Sequence, residues 1–196
     1  MKKVENREVS LRCAKVEDAA RLVEIYSSYV LDTAVTFETD VPSVAEFERR
    51  IKEVLEMYPY LVAELDGEIA GYAYAHRYRE RAAFDWTVEV SIYVDERFKK
   101  HGIGRMLYTK LEELLQAQGI TNLYACVAEP NGEDPHLTMA SPIFHKKMKY
   151  DLVGRHNEAG YKFGRWYNLL VFEKFVNEHP NDMKPIKPFN QLQIDL

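Results

Sequence analysis

Cysteine is scarce in this chain of 196 residues, which contains only Cys13 and Cys126, far apart in the sequence. A disulfide framework is therefore not expected, and we predict that both thiols are buried. No apolar run approaches the roughly 20 residues that a bilayer-spanning helix needs. The charged residues 1–10 also lack the apolar core of a signal peptide. These absences predict a cytoplasmic protein with no membrane partner.

Basic residues are fewer than acidic residues. The chain has 26 Lys and Arg and 31 Asp and Glu, which give a formal net charge of −5. A general nucleic-acid binder needs a basic surface to neutralise phosphates, so we expect no nucleic-acid partner. Apolar residues, in contrast, make up 46 % of the chain, which favours a globular domain over disorder. We expect one domain over residues 1–176 and a proline-containing tail over residues 177–196.

Hydrophobic periodicity and turn residues predict the element order β-α-α-β-β-β-α-β-α-β-β. The predicted strands cover residues 9–13, 60–65, 68–77, 86–94, 121–127, 152–158 and 167–175. The predicted helices cover residues 17–30, a segment between Ser43 and Pro59, residues 104–118 and residues 141–148. Ser43 precedes Glu46 by the spacing of a capping box, and Gly119 is a plausible helix stop. The order indicates a mixed α/β domain with an antiparallel run in its middle.

The strongest chemical feature is a strand that enters a glycine-containing turn, which then opens a helix. The first amides of a helix have no internal partners and carry the positive end of its dipole, so they can bind phosphate oxygens. Gly102 and Gly104 would let a pyrophosphate approach the backbone. Basic side chains surround them: Lys99, Lys100, His101 and Arg105. From the glycine pair alone, a phosphate site and a simple turn are equally open, and the third glycine of a Rossmann fingerprint is absent.

The segment Lys99-Lys100-His101-Gly102-Ile103-Gly104 resembles the Gln/Arg-x-x-Gly-x-Gly/Ala motif of the GNAT superfamily of N-acetyltransferases, with Lys99 departing at its first position. Five further segments resemble the phosphinothricin acetyltransferase branch of that family: residues 36–39, 60–64, 66–73, 86–94 and 160–166. The resemblance covers about residues 8–175. It implies the GNAT fold, a mostly antiparallel central sheet with flanking helices and a cleft where the fourth and fifth strands splay apart.

The resemblance also implies the reaction. Acetyl-CoA would be the co-substrate, and the acetyl group would pass by direct attack in a ternary complex to the amine of a small molecule. The expected acceptor is an amino acid or an amino-acid-like toxin of the phosphinothricin or methionine sulfoximine type. Relatives in this branch tend to form homodimers, so we expect a homodimer here too.

The cofactor-binding residues implied by the resemblance are Ile92, Tyr93, Val94, Lys99, Lys100, His101, Gly102, Ile103, Gly104, Arg105, Asn131 and Ser141. The pantetheine arm would pair with the exposed backbone of residues 92–94 like an added strand. The N–H of Ile92 would also face the developing oxyanion. The pyrophosphate would lie on residues 100–105. The loop between Asn131 and Ser141 is longer than is typical of the family.

Glu89 is the candidate general base, acting directly or through a water, because it matches the Glu of the branch's Thr-Val-Glu motif. Strand alternation alone is equally compatible with a solvated polar face. His145 is the candidate acid or second base, and the alternative is a surface or internally bonded histidine. Cys126 lies in a predicted strand and is expected in the core rather than as a nucleophile. The histidine and cysteine spacings fit no standard zinc pattern, so no metal is expected.

The acceptor side is implied in the same way. Arg79 and Arg81 match the place where relatives hold the acceptor's carboxylate, which suits a fork-shaped guanidinium. The other predicted substrate-binding residues are Phe37, Glu38, Val90 and Ser91. Two alternatives stay open at this point: acetylation of a protein or peptide, and a non-catalytic acetyl-CoA-binding regulatory module. The presence of Glu89, His145 and Arg79 together favours an enzyme acting on a small molecule.

Overall fold

The structure is a computed structural model, and it describes residues 9–192. Its strands are β1 Val9–Cys13, β2 Tyr60–Leu65, β3 Glu68–Arg77, β4 Thr87–Val94, β5 Asn122–Pro130, β6 Asp151–Lys162 and β7 Arg165–Phe175. Its α-helices are α1 Ala19–Asp32, α2 Val44–Met57, α3 Ile103–Gln118 and α4 Ala140–Lys147, and short 3-10 turns join some of them. The predicted element order is confirmed.

The seven strands form one mixed sheet in the order β1-β2-β3-β4-β5-β7-β6. Neighbouring strands are antiparallel except for β4 and β5, which are parallel because α3 carries the chain back across the sheet. In the parallel pairing, Thr87 lies opposite Asn122, Val88 opposite Leu123 and Glu89 opposite Tyr124. No later pair is made between these two strands. Beyond Glu89 the strands diverge, which confirms the predicted splay.

Hydrophobic layers cover both faces of the sheet. On one face, α3 buries Leu107, Leu111 and Leu115 against Val88 and Leu123. On the other face, α1 and α2 pack on a tyrosine-rich surface, and the buried residues of this layer include Leu22, Ile25, Phe47, Ile51, Tyr60 and Tyr72. Strand alternation therefore assigns each residue of β4 to one of two environments, the α3 layer or the α1/α2 layer.

Helix ends follow the predicted signals, with one difference. Ser43 Oγ accepts the Glu46 N–H at 3.1 Å at the start of α2, but the Glu46 carboxylate bonds Arg49 and Arg50 and does not return to the cap. Only half of the capping box forms, because two guanidiniums one turn along the helix compete for that carboxylate. Gly119 ends α3 with φ of 94°, as predicted.

The β6–β7 hairpin is longer than predicted. Residues 159–162 continue β6, and β7 begins at Arg165, so the two strands meet at a two-residue turn formed by Phe163 and Gly164. Both turn residues have positive φ, 51° and 73°, which matches the twist of a tight hairpin. The irregular stretch between His156 and Gly160 interrupts the register, and this bulge hides the strand pattern from the sequence.

The segment after β7 lies across the domain surface, as the sequence predicts. Trp86 Nε1 donates to Lys184 O at 2.7 Å, and Gln118 Nε2 donates to Lys187 O at 2.8 Å. The ends of the predicted domain and tail, residues 1–8 and 193–196, lie outside the described residues. Within residues 9–192, no helix combines the length and the apolar character that crossing a membrane requires.

Candidate active site

The divergence of β4 and β5 opens a cleft whose edge is formed by β4 backbone groups. Asp95 N donates to Ala70 O of β3 at 2.9 Å. Because amides alternate in direction along a strand, those of Tyr93 and Ser91 also face β3. The amides of Ile92 and Val94 consequently point the other way, into the cleft. The Tyr29 hydroxyl already bonds Val94, donating to its oxygen at 2.5 Å and accepting from its nitrogen at 3.2 Å. Ile92 is thus the cleft-facing amide nearest Glu89.

We call this opening the cofactor cleft. It is lined by Val35, Val90, Ser91, Ile92, Tyr93, Tyr108, Ala125, Cys126, Val127, Ala128, Leu137, Ser141 and His145. These residues come from β4, β5, α3, α4 and the loops beside them. Predicted residues Ile92, Tyr93, Ser141 and His145 are therefore brought together.

The start of α3 lies at one end of the cofactor cleft. Gly102 is the N-cap with φ of 80°, and no side chain caps the helix, so its first amides stay available. Gly104 faces Ile92 and Phe144, and a Cβ there would lie 3.3 Å from the Phe144 ring and 3.5 Å from Ile92 Cδ1. The basic side chains of this turn are all exposed: Lys99, Lys100, His101 and Arg105. The arrangement suits an anion approaching the helix backbone.

Glu89 stands at the last paired position of β4, half-buried, with His76 of β3 on one side and Tyr124 of β5 on the other. Its charge acts on the Cys126 thiol of β5. Partial desolvation in the cleft, followed by the negative charge of Glu89, raises the pKa of Cys126 to about 12. The thiol is thus protonated at neutral pH.

The prediction that both cysteines are buried is wrong. Cys13 is half-buried, and Cys126 is exposed. Alternation along β5 explains the second case, because Ala125 and Val127 occupy the buried positions and leave Cys126 on the side facing the cleft. A protonated thiol is a poor nucleophile. That Cys126 does not act as a nucleophile stays a prediction.

His145 is 3 % exposed, so its ring is buried on α4 instead of lying on the surface. Its Nδ1 lies 2.9 Å from Ser141 O, and its Nε2 lies 3.2 Å from the Tyr108 hydroxyl. Burial lowers the pKa of His145 to about 4, so the ring is neutral at pH 7. Since Ser141 O can only accept, Nδ1 carries the hydrogen, and Nε2 accepts from Tyr108. The neutral ring therefore presents Nε2 as its hydrogen-bond acceptor.

The acceptor side is formed by the loop after α1 and the tip of the β6–β7 hairpin. The Phe37 ring lies directly on Gly160, where a Cβ would overlap it. The buried ammonium of Lys162 donates to Thr33 O at 2.8 Å and to Thr36 O at 2.9 Å. The hairpin thus fixes the loop that carries Phe37 and Glu38, and we call these four residues, Phe37, Glu38, Gly160 and Lys162, the acceptor wall.

The two predicted arginines differ in their surroundings. The Arg79 guanidinium stacks on the Tyr78 ring at 4.2 Å, and its charge reaches the Cys126 thiol, whose pKa it lowers slightly against the larger effects of burial and Glu89. Arg81 is exposed, at the start of the short turn Ala82–Phe84. Of the two, Arg79 is the one whose charge acts on Cys126, the residue on which Glu89 also acts.

The remaining predicted site residues lie in different parts of the structure. Ser91 shares the sheet face of Glu89 and lies opposite Tyr74 of β3, whereas Val90 is buried on the α3 face. Asn131 is exposed, accepts from Asn168 at 2.6 Å and donates to Trp166 O at 3.4 Å. Asn131 therefore lies beside β7 and outside the residues that line the cofactor cleft.

Residues 11–171 match the family described as the acetyltransferase (GNAT) domain. The chain belongs to the GNAT acetyltransferase family. It is 34 % identical over 188 residues to a phosphinothricin N-acetyltransferase of Streptomyces viridochromogenes, covering 96 % of this chain and 98 % of that protein. It is 31 % identical over 176 residues to an L-methionine sulfoximine/L-methionine sulfone acetyltransferase of Salmonella typhimurium, covering 87 % and 96 %.

A solved GNAT structure agrees with the sequence relationship. The phosphinothricin acetyltransferase of Sinorhizobium meliloti in complex with AcCoA superimposes with a TM-score of 0.80 at 28 % identity, covering 92 % of this chain and 98 % of that chain. The predicted family, branch and fold are therefore confirmed. This GNAT is an N-acetyltransferase that uses acetyl-CoA as its co-substrate.

The geometry of this GNAT fits acetyl-CoA in two places. The cleft-facing Ile92 amide can pair with an extended arm, and the uncapped start of α3 can take the pyrophosphate because Gly104 leaves the backbone accessible. When bound there, acetyl-CoA supplies the activated acetyl group.

Several residues of this site escaped the sequence analysis. Tyr29, Tyr108 and Cys126 reach the cleft from different elements, and no local motif marks them. Gly160 and Lys162 do lie in a segment that matches the branch, residues 160–166. That match was a usable signal, but their role depends on contacts across more than a hundred residues of chain, which one sequence does not reveal.

Proposed function

We propose that this GNAT acetylates the amine of an amino-acid-like small molecule, with Glu89 as the general base. The observation that carries the proposal is the position of Glu89 at the residue where β4–β5 pairing stops. Its carboxylate therefore lies at the mouth of the cofactor cleft, on the face opposite α3. Relatives named phosphinothricin N-acetyltransferase and methionine sulfoximine/methionine sulfone acetyltransferase support the choice of acceptor.

Direct attack in a ternary complex has three requirements: deprotonation of the acceptor's ammonium, polarisation of the acetyl carbonyl and departure of the thiolate. Glu89 takes the proton of the acceptor's ammonium, directly or through a water. The Ile92 N–H donates to the acetyl carbonyl oxygen as negative charge develops there. His145 is neutral and accepts at Nε2, so it serves as a second base or holds Tyr108 in place, in preference to acting as the acid. As the C–S bond breaks, coenzyme A leaves as the thiolate and takes its proton from water.

Selection of the acceptor falls to side chains on the face of Glu89. Arg79 is the proposed partner of the acceptor's carboxylate, since its charge and that of Glu89 both act on Cys126. Ser91 and the acceptor wall border the space above Glu89. Arg81 and Val90 remain predictions with a weaker geometric basis. Of the cofactor contacts, Ile92, residues 99–105 and Ser141 are retained here. Tyr93, Val94 and Asn131 remain predictions, since the Tyr29 hydroxyl already bonds the Val94 backbone.

We further propose a homodimer in the cytoplasm. The β6–β7 hairpin supports the dimer because it exposes large apolar side chains at both of its ends, Leu152, Val153 and Phe175 at one and Tyr161 and Trp166 at the tip. Exposed apolar surface of this kind marks interaction sites. Light scattering on the purified protein should give twice the chain mass, and a single-chain mass at micromolar concentration would remove the dimer from the proposal.

The acceptor class is tested by thiol release from acetyl-CoA with free L-amino acids, phosphinothricin, methionine sulfoximine and short peptides. The proposal predicts turnover of free amino-acid-like amines. Turnover of peptides alone would replace it with a protein or peptide N-acetyltransferase. Tight acetyl-CoA binding without turnover of any amine would replace it with a regulatory module.

A further inference from the structure

The Tyr29 hydroxyl occupies the backbone groups at the end of β4. The N–H and C=O of Val94 point away from β3 and into the cofactor cleft, as those of Ile92 do. Tyr29 donates to Val94 O at 2.5 Å and accepts from Val94 N at 3.2 Å. One phenol oxygen therefore makes both of the bonds that a residue of an added strand would make with Val94.

The packing of α1 holds Tyr29 in this position. The side chain is 7 % exposed, and its ring packs edge-on against Tyr93 with the ring centroids 5.2 Å apart. Arg21 of the same helix forms an ion pair with Asp95, the residue that follows Val94. Two side chains of α1 thus bind the end of β4, and the hydroxyl is fixed at the edge of the strand.

The same edge of β4 is the surface along which the pantetheine arm of acetyl-CoA would pair. An arm that runs from the start of α3 to the Ile92 amide passes Val94, because Val94 lies between the two in the chain. Amides two residues apart on a strand are separated by about 7 Å. With the thioester at Ile92, the nearest amide group of the arm therefore comes opposite Val94. Tyr29 and the arm need the same two backbone groups.

We infer that Tyr29 competes with the pantetheine arm for the Val94 backbone, so that its hydroxyl stabilises the fold and weakens cofactor binding. An unpaired N–H and C=O at the edge of β4 would cost stability, and the hydroxyl satisfies both. Since the product coenzyme A carries the same arm, the competition also favours product release. The inference depends on the use of acetyl-CoA and is independent of the acceptor and of Glu89.

Tyr29→Phe tests the competition because it removes the hydroxyl and keeps the ring on Tyr93. By calorimetric titration, the Kd of acetyl-CoA should fall about 2–10-fold, which is the value of one hydrogen bond. S-acetylpantetheine, which lacks the nucleotide, should gain by the same factor. The isolated nucleotide 3′-phospho-ADP, which lacks the arm, should bind both proteins equally. This last comparison excludes an effect through Lys99, whose Nζ lies 5.4 Å from the centre of the Tyr29 ring.

Tyr26→Phe is the matched control. Tyr26 lies one turn earlier on α1 and also packs edge-on against Tyr93, at 4.9 Å, but its hydroxyl bonds Thr36 Oγ1 at 2.7 Å. Both changes should lower the melting temperature, since each removes a hydrogen bond of a buried side chain. Only Tyr29→Phe should tighten acetyl-CoA, so saturating acetyl-CoA should raise the melting temperature more in Tyr29→Phe than in Tyr26→Phe.

Hydrogen exchange at the Val94 amide reports the competition directly. Exchange should be slow in the wild type, faster in Tyr29→Phe, and slow again in Tyr29→Phe with saturating acetyl-CoA. An acetyl-CoA Kd that is unchanged or higher in Tyr29→Phe would overturn the inference. A Val94 amide that stays fast in the loaded variant, or an equal gain for 3′-phospho-ADP, would overturn it as well. None of these measurements requires turnover, so each of these failures leaves the proposed function standing.

Discussion

The cofactor cleft and the acceptor wall are built on different principles. The cleft presents backbone groups, the Ile92 amide and the uncapped start of α3, and its key requirement is that Gly104 carry no side chain. The acceptor wall consists of side-chain contacts between distant segments, with Phe37 on Gly160 and Lys162 on Thr33 and Thr36. A backbone site tolerates sequence change around it, whereas a side-chain site is sensitive to single substitutions. We therefore expect acceptor choice to vary more easily than use of acetyl-CoA.

The largest expected effect lies between the two regions. Glu89→Gln keeps the shape of the side chain but removes the base, so turnover should fall by about 10²-fold or more. Acetyl-CoA affinity should stay unchanged, because the cofactor cleft uses backbone groups. Steady-state kinetics and calorimetry measure the two quantities, and Glu113→Gln, an exposed position on α3, is the matched control. An unchanged rate would remove Glu89 from the mechanism.

His145 tests the one part of the cofactor cleft that depends on a buried side chain. The folded protein holds its pKa at about 4 instead of 6.5, so the unfolded chain binds a proton first as pH falls. The contribution of His145 to the free energy of unfolding is fully present above pH 6.5. It decreases by about 3 kcal/mol as the pH falls from 6.5 to 4. Urea unfolding across this window should show a steeper loss in the wild type than in His145→Gln. Parallel curves would mean that the ring is not held neutral.

Gly160→Ala should break the acceptor wall alone. A Cβ at this position overlaps the Phe37 ring, so the loop must shift, at a cost of about 1–3 kcal/mol in the free energy of unfolding. The KM of the acceptor should rise while the Kd of acetyl-CoA stays constant. Gly154→Ala on the same strand is the control, since its Cβ would meet Val171 at an ordinary 3.6 Å. Equal behaviour of the two variants would count against the acceptor wall.

Gly104→Ala is the converse change and the smallest expected effect. The added methyl occupies the approach to the helix start, so the Kd of acetyl-CoA should rise by roughly tenfold, the loss of about one charge-assisted hydrogen bond. Stability should change little, because the better helix propensity of alanine offsets the close 3.3 Å contact that its Cβ makes with the Phe144 ring. Calorimetry gives the Kd, and thermal unfolding gives the control. An acceptor KM that changes more than this Kd would contradict the division into two regions.

Local patterns were sufficient for most of the fold. Hydrophobic periodicity and turn residues placed every strand and helix in order, because amphipathic α3 and the Asp66–Gly67 turn carry their signals within a few residues. The end of β6 was missed because the bulge between His156 and Gly160 breaks the period-2 pattern. Residues 159–162 are strand only because β7 returns beside them.

The site was less accessible to sequence reasoning than the fold. The glycine turn was identified from its strand–turn–helix pattern, but its role as a cofactor site and the role of Glu89 came from the family resemblance. The neutral state of His145 depends on its burial between α3 and α4, and the exposure of Cys126 depends on the divergence of β4 from β5. Both are properties of packing between elements far apart in the chain, and a single sequence does not specify them.

The most direct test of the account is an isothermal titration of the purified protein with acetyl-CoA. The account predicts one site per chain, with micromolar affinity that weakens in Gly104→Ala and is unchanged in Glu89→Gln and Gly160→Ala. No detectable heat with either acetyl-CoA or coenzyme A, from a protein that is folded by thermal unfolding, would contradict it.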